Sequence, residues 1–240
     1  MFIGGLQKFT LLDYPGKIAA TIFTMGCNFR CPFCHNPELV NPKEIDYKNK
    51  IEEKEVLKFL NSRKGDLDGL CITGGEPTLQ LGLADFIKKV KKMGFLVKVD
   101  TNGSYPNVVE NLVKDKLVDY VAMDIKTTPE KYKIVASEKD IIKKIEKSVN
   151  IVTNSDSELE LRTTIVSGIV DVRDFDRIVE WINGIDQKVF SKLLRYSVQN
   201  FRPDKTLESD FGNVKPNEKE ELDKIADKIR KYCGNVVVID

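Results

Sequence analysis

Long apolar runs are missing from this 240-residue chain, so no membrane-spanning helix is expected, since one needs ~20 consecutive apolar residues. Charge of one sign is missing as well. Lysine and arginine number 38 against 37 aspartates and glutamates, for a formal net charge of +1. So close a balance implies no basic face, and nucleic acid is not an expected partner. The opening Met1-Phe2-Ile3-Gly4-Gly5-Leu6-Gln7-Lys8 lacks a charged stretch followed by an apolar one, so no secretory signal is read there. No linker-like composition shift or low-complexity segment divides the chain. One cytoplasmic domain over residues 1–240 is expected, with 41% hydrophobic residues to fill one core. There is a single histidine, His35, and there are only five cysteines.

Three of those cysteines fall within eight residues, as Cys27-Asn28-Phe29-Arg30-Cys31-Pro32-Phe33-Cys34, with His35 next. A structural zinc site wants a fourth ligand. Cys71 and Cys233 are isolated, and His35 is awkwardly placed to close a tetrahedron with its neighbour Cys34. Cys31-Pro32-Phe33-Cys34-His35 also matches the haem-attachment pattern C-x-x-C-H, but that needs export and leaves Cys27 without a role. A disulfide scaffold is unnecessary in a chain this long. Iron–sulfur clusters are held by cysteine thiolates, and three thiolates on a four-iron cube leave one iron open. An open coordination position marks a reactive site. Such a cluster favours a reducing, low-oxygen compartment.

The rest of the chain reads as repeated strand–loop–helix units. Residues 17–24 form a β-rich apolar run leading into the cysteines. Further strands are expected at 69–73, 95–99, 118–123, 158–166 and within 189–198, with a terminal one at 235–240. Amphipathic helices are expected over about 51–61, 79–93, 106–114, 138–150, 174–183 and 215–232. This alternation implies parallel βαβ units with right-handed crossovers. The fold class is α/β, an incompletely closed, TIM-like (β/α)6 barrel.

Chemistry in such barrels lies at the C-terminal strand ends. The first strand runs into the cysteines and the second into Thr73-Gly74-Gly75-Glu76-Pro77-Thr78. The third ends in Asp100-Thr101-Asn102-Gly103 and the fourth in Asp124-Ile125-Lys126, Arg162 interrupts the fifth, and the sixth ends near Arg195-Tyr196-Ser197. All these polar or glycine-rich breaks share one rim. Gly74 and Gly75 allow close backbone approach to a ligand, although a tight turn explains the pair equally well. Asp124 and Lys126 lie on one side of an extended segment. Lys126 suits a ligand carboxylate, and Asp124 suits a ribose, an ammonium or a cation; a surface ion pair is the plain alternative. Asp100 is a hard oxygen donor of the kind that holds alkali or alkaline-earth cations. Cys71, Cys233 and Trp181 read as packing.

The cysteine spacing, with an aromatic before the third thiol, resembles the radical S-adenosylmethionine (SAM) superfamily. C-H-N, G-G-E-P, D-T-N-G and D-I-K in that order, after Phe9-Thr10-Leu11-Leu12-Asp13-Tyr14-Pro15-Gly16, are similar to the activating enzymes of glycyl-radical enzymes. The activases of pyruvate formate-lyase and of anaerobic ribonucleotide reductase are the nearest, and the similarity spans nearly the whole chain. The resemblance implies a [4Fe–4S] cluster on Cys27, Cys31 and Cys34, with SAM chelating the open iron. It implies that Phe33, Cys34 and His35 lie against the adenine and its neighbourhood, and that Gly74 and Gly75 meet the methionine amino group. Asp124, Ile125, Lys126 and Arg162 are implied SAM contacts. Ser197 or Tyr196 stands where pyruvate formate-lyase activase has a histidine, and Ser197 is taken as the contact. Asp100, Thr101, the carbonyl of Ala122 and Asp124 would form a monovalent-cation site, and Asp13 would position the partner's loop.

The implied chemistry is anaerobic. An electron from flavodoxin or ferredoxin cleaves SAM to methionine and a 5′-deoxyadenosyl radical, which abstracts a glycine Cα hydrogen on a partner enzyme. Ribonucleotide reductase is favoured as that partner by Asp13-Tyr14-Pro15-Gly16 and by chain length. No catalytic residue beyond the cluster and SAM ligands is implied, and no inserted ferredoxin-like cysteines call for a second cluster. The other reading is a radical SAM enzyme acting on a small molecule, such as a 7-carboxy-7-deazaguanine synthase, which shares the cluster and G-E-P but has no need of Asp13-Tyr14-Pro15-Gly16.

Overall fold

Eight strands form one sheet in which spatial order follows sequence order, in a computed structural model describing residues 1–240. The chain opens with β1 (Ile3–Thr10) and β2 (Ala19–Thr24), then the short α1 (Pro37–Val40) and α2 (Glu53–Asn61). The units β3 (Gly69–Gly74), α3 (Leu83–Lys92), β4 (Leu96–Thr101), α4 (Pro106–Lys114), β5 (Tyr120–Asp124) and α5 (Ile141–Thr153) follow. β6 (Glu158–Ile165), α6 (Asp174–Ile185), the single turn α7 (Val189–Lys192), β7 (Leu193–Asn200), α8 (Lys219–Arg230) and β8 (Val236–Ile239) complete it. β2 to β8 are mutually parallel, and β1 runs antiparallel to β2. β1 and β8 do not pair, so the barrel stays open. No helix is long and apolar enough to cross a membrane.

Period-two alternation divides the two faces of this sheet. Ile22, Leu70, Ile72, Val97, Val99, Val121, Met123, Leu159 and Leu161 point outward into a cluster of 51 buried residues. The helices close that cluster with apolar stripes, such as Leu83, Phe86, Ile87 and Val90 on α3 or Leu222, Ile225 and Ile229 on α8. Each such side chain contributes about 1.5–3 kcal/mol by leaving water. The alternate positions face the lumen and are polar: Thr21, Cys71, Lys98, Asp100, Glu160, Arg162 and Ser197. A lumen lined this way requires an ion pair or hydrogen bond for nearly every side chain.

The six-unit barrel expected from the sequence corresponds to β2–β7, with β8 added at one edge. β1 was not expected as a strand. Only its two ends are buried, so an edge strand of this kind leaves no apolar run to read. α3 starts at Leu83 rather than near 79, because Pro77–Leu79 is a 3-10 turn and Gly82 adopts a left-handed φ of 84° at the N-cap. Residues 189–192 are a helical turn, so β7 starts later than the apolar run suggests.

Candidate active site

The three clustered cysteines occupy the loop leaving β2 and line one cavity of about 450 Å³. Arg30 shapes this loop, donating from one guanidinium nitrogen to the carbonyls of Cys27 and Phe29, each at 2.7 Å. The Phe29 N–H donates to the Cys27 Sγ at 3.3 Å, and the Cys34 N–H to the Cys31 carbonyl at 3.0 Å. Burial pushes the Cys27 and Cys31 thiols up to about 12. Thiols in that state need a metal's charge to become thiolates. No three cysteine, histidine, aspartate or glutamate side chains converge on a single ion. All three thiols line one cavity, and cysteine thiolates are the ligands that hold iron–sulfur clusters.

Two further loops are laced to the cysteine loop. The Gly75 N–H donates to the Thr24 carbonyl and the Glu76 N–H to the Gly26 carbonyl, both at 2.8 Å. A Cβ on Gly75 would lie 2.1 Å from the Gly26 oxygen, and one on Gly74, where φ is +112°, 2.3 Å from the Thr24 nitrogen. The glycine pair is therefore required by contact with the cysteine loop itself. Glu76 is 1% exposed. Its carboxylate accepts from Thr78 N–H at 2.9 Å, Thr78 Oγ1 at 2.5 Å, Thr101 Oγ1 at 2.8 Å and Asn102 N–H at 2.8 Å. Asn102 in turn donates to Asn28 Oδ1 at 3.0 Å, tying the loop after β4 to the cysteines. Gly75→Ala is expected to displace the cysteine loop at a cost of about 1–3 kcal/mol. Its thermal melt and iron content after reconstitution should both fall. A variant that loads iron normally at unchanged stability would refute the requirement.

The far wall of the cavity is ionic. Arg162 donates from Nε to Asp124 Oδ1 and from a terminal nitrogen to Asp100 Oδ2, both at 2.9 Å. Lys126 Nζ donates to Asp124 Oδ2 at 3.0 Å, and Lys98 Nζ pairs with Asp100 Oδ1. Burial pushes Asp124 up, but Arg162 and Lys126 outweigh it and hold the carboxyl well below the usual carboxylate range. Lys126 and Arg162 are raised by these same carboxylates against burial, so both remain cations.

Most residues singled out in the sequence meet at this cavity. Cys27, Cys31, Cys34, Phe33, His35, Gly74, Gly75, Asp100, Thr101, Asp124, Lys126, Arg162 and Asp13 all line it. His35 stacks on Phe201 with centroids 5.6 Å apart. Asp13 enters from the β1–β2 connection and accepts from Thr21 Oγ1 at 2.5 Å. Three side chains lie elsewhere, although the Ala122 backbone stands opposite Asp100 in the β4–β5 register. Ile125 points into the core, and Ala122 packs deeper in the lumen with Tyr14, Ala19 and Tyr120. Ser197 is fully buried below the cavity and donates to Glu160 at 2.5 Å. The β7 side chain that reaches the cavity is Gln199, one period-two step beyond Ser197, opposite Thr164 of β6. Gln199 and Thr164 carry no motif. Asn36, Glu76 and Asn102 lie inside motifs and were given no role.

Aromatic, backbone and ion-pair walls in one cavity of this size suit a nucleotide with an amino-acid end. The Radical SAM superfamily matches residues 21–182. A Methanocaldococcus jannaschii protein named as a glycyl-radical enzyme activating enzyme is 35% identical, over 98% of this chain and 95% of that protein. A pyruvate formate-lyase-activating enzyme of Streptococcus mutans is 31% identical over 73% of this chain and 69% of its own length. Among solved structures, Streptococcus suis SuiB bound to its precursor peptide superposes with a TM-score of 0.66 at 17% identity. That match covers 92% of this chain and 48% of SuiB, and it shows a shared fold.

Proposed function

The chain belongs to the radical SAM superfamily, in the branch of glycyl-radical enzyme activating enzymes, and on that premise we propose that its protein substrate is anaerobic ribonucleotide reductase. Its cofactors are a [4Fe–4S] cluster and SAM. When bound, the reduced cluster supplies one electron that cleaves a carbon–sulfur bond of SAM and thereby generates the radical that abstracts hydrogen.

The chain's own residues hold and orient. Cys27, Cys31 and Cys34 would bind three irons. Phe33 offers a buried aromatic wall for the adenine beside His35, and the backbone at Gly74 and Gly75 would meet the amino group. Arg162 and Lys126 supply positive charge for the carboxylate, with Asp124 holding both in place. Positioning of this kind, with exclusion of water and stray hydrogen donors, is the protein's share of cofactor chemistry.

One observation carries the polypeptide substrate. Asp13 lines the cavity, and beside it Leu11 and Leu12 are 60% and 85% exposed, with Phe9 at 57%. These apolar side chains lie in and around the β1–β2 connection, at the N-terminal strand ends and next in sequence to a residue that reaches the cavity, and exposure of this kind suits contact with another protein. Flavodoxin or ferredoxin would supply the electron. The test is anaerobic incubation of reconstituted enzyme with SAM, reductant and the reductase, read by electron paramagnetic resonance. A glycyl doublet on the reductase is expected. A doublet only on pyruvate formate-lyase would replace the proposed partner, and turnover of a small molecule with no protein radical would reject a polypeptide substrate.

A further inference from the structure

Lys98 is a buried lysine that the reading above leaves without a role. It lies in β4 two residues before Asp100, so both face the lumen. It is 1% exposed, and its ammonium pairs with Asp100 Oδ1, lies 5.5 Å from the centre of the Tyr120 ring and 3.9 Å from Cys71 Sγ. Burying an ammonium is unfavourable unless it is paired, and an apolar residue of similar volume is often as stable or more so. A role beyond packing is therefore expected of it.

The charges at this wall can be counted. Asp100 and Asp124 offer four oxygens, and every one already has a cationic donor: Lys98 and Arg162 for Asp100, Arg162 and Lys126 for Asp124. Three unit cations thus face these two carboxylates, while Asp13, elsewhere in the cavity lining, is held by the Thr21 hydroxyl and pairs with none of them. The Thr101 hydroxyl is also engaged, donating to Glu76 at 2.8 Å and accepting from the Gly103 N–H at 3.1 Å. Glu160, the next carboxylate in the lumen, is held by Arg195, Tyr120 and Ser197. A metal cation arriving between Asp100 and Asp124 would find the guanidinium of Arg162 bridging them, and excess positive charge around it. An α-carboxylate finds the opposite, a partner for the surplus charge.

We propose that Lys98 is a built-in counter-ion, a positioning residue that acts through Asp100, and that with Arg162 it takes the place of a metal cation beneath the SAM carboxylate. The enzyme then binds SAM without help from alkali ions. This rests on the reading that the cavity takes SAM.

The test measures SAM affinity of the reconstituted holoenzyme by anaerobic equilibrium dialysis in choline chloride, then with added sodium or potassium. The native enzyme should change by less than about twofold. Lys98→Met should bind SAM about tenfold more weakly in choline, within the usual range of coupling between sites, and potassium or sodium should restore it. Lys98→Arg should behave as native. An alkali requirement in the native enzyme overturns the proposal, and so does a Lys98→Met defect that no alkali ion relieves, since that would mark a purely structural lysine. Should Lys98→Met fail to fold, the native measurement and Lys98→Arg still decide. The double variant Lys98→Met with Asp100→Asn removes both charges and should show no alkali response. Thermal melts of the cofactor-free proteins separate the two readings. Alkali ions should raise the melting temperature of Lys98→Met and not of native protein, whether or not SAM binds.

Discussion

Replacing Cys31 by serine is expected to lower SAM cleavage by more than about 100-fold, the upper end of what losing even an outer-shell partner costs a metal site. Cys31 is the middle thiol of the loop, buried, and flanked in the cavity wall by Cys27 and Cys34. Soft thiolates select iron–sulfur clusters, and a hydroxyl in the same place is a poor substitute. With two thiols left, a second iron loses its protein ligand, so bound iron and the visible absorbance of the cluster should fall with activity. Cys71→Ser is the matched control. Cys71 is buried in the lumen beside Lys98 and Asp100, outside the cavity lining. It should keep its iron and its cleavage. Native iron content and native cleavage in Cys31→Ser would remove the basis for assigning the cluster to this loop.

The cysteine loop was legible because its chemistry is carried by residue types in fixed local spacing. The helices and parallel strands were legible because a sheet covered by helices on one face shows periods of two and 3.6 in its apolar residues. Two kinds of feature were not. β1 is an edge strand with half-exposed glycines and polar residues, so nothing periodic marks it. Side chains brought to the cavity by strand register are also hidden. Ser197 and Gln199 share a face of β7, and only the tilt and stagger of neighbouring strands decide which of them reaches the rim. The ion-pair wall was half legible. Asp100, Asp124, Lys126 and Arg162 stand out in the sequence as polar breaks, but their pairing depends on β4, β5 and β6 lying side by side. Lys98 gave no signal, because a lysine in an apolar strand ordinarily reads as a solvated edge.

Arg162→Met is expected to destabilise the cofactor-free protein by about 3 kcal/mol, the lower end of what breaking a buried ion pair costs. The lower end applies because Lys98 and Lys126 still hold one oxygen each of Asp100 and Asp124. The other two oxygens lose their only donors. SAM affinity should fall as well, since the carboxylate loses a planar, doubly donating partner. The sign of the pH dependence separates this from simple loss of packing. Burial pushes both carboxyls up, but Arg162 with Lys98 or Lys126 outweighs it and holds them below their ordinary value of 3.8. A carboxyl depressed in the folded state contributes stability above its unfolded value and loses it as pH falls toward the folded one. Without Arg162 the two folded values rise and that contribution shrinks. The stability gap between native and variant protein should therefore be widest near neutral pH and narrow as pH drops through about 4. Urea unfolding at about pH 7 and about pH 3 measures it. A gap of equal size at both would mean that Arg162 stabilises by its bulk alone, and the ionic wall would then have no part in holding either carboxylate.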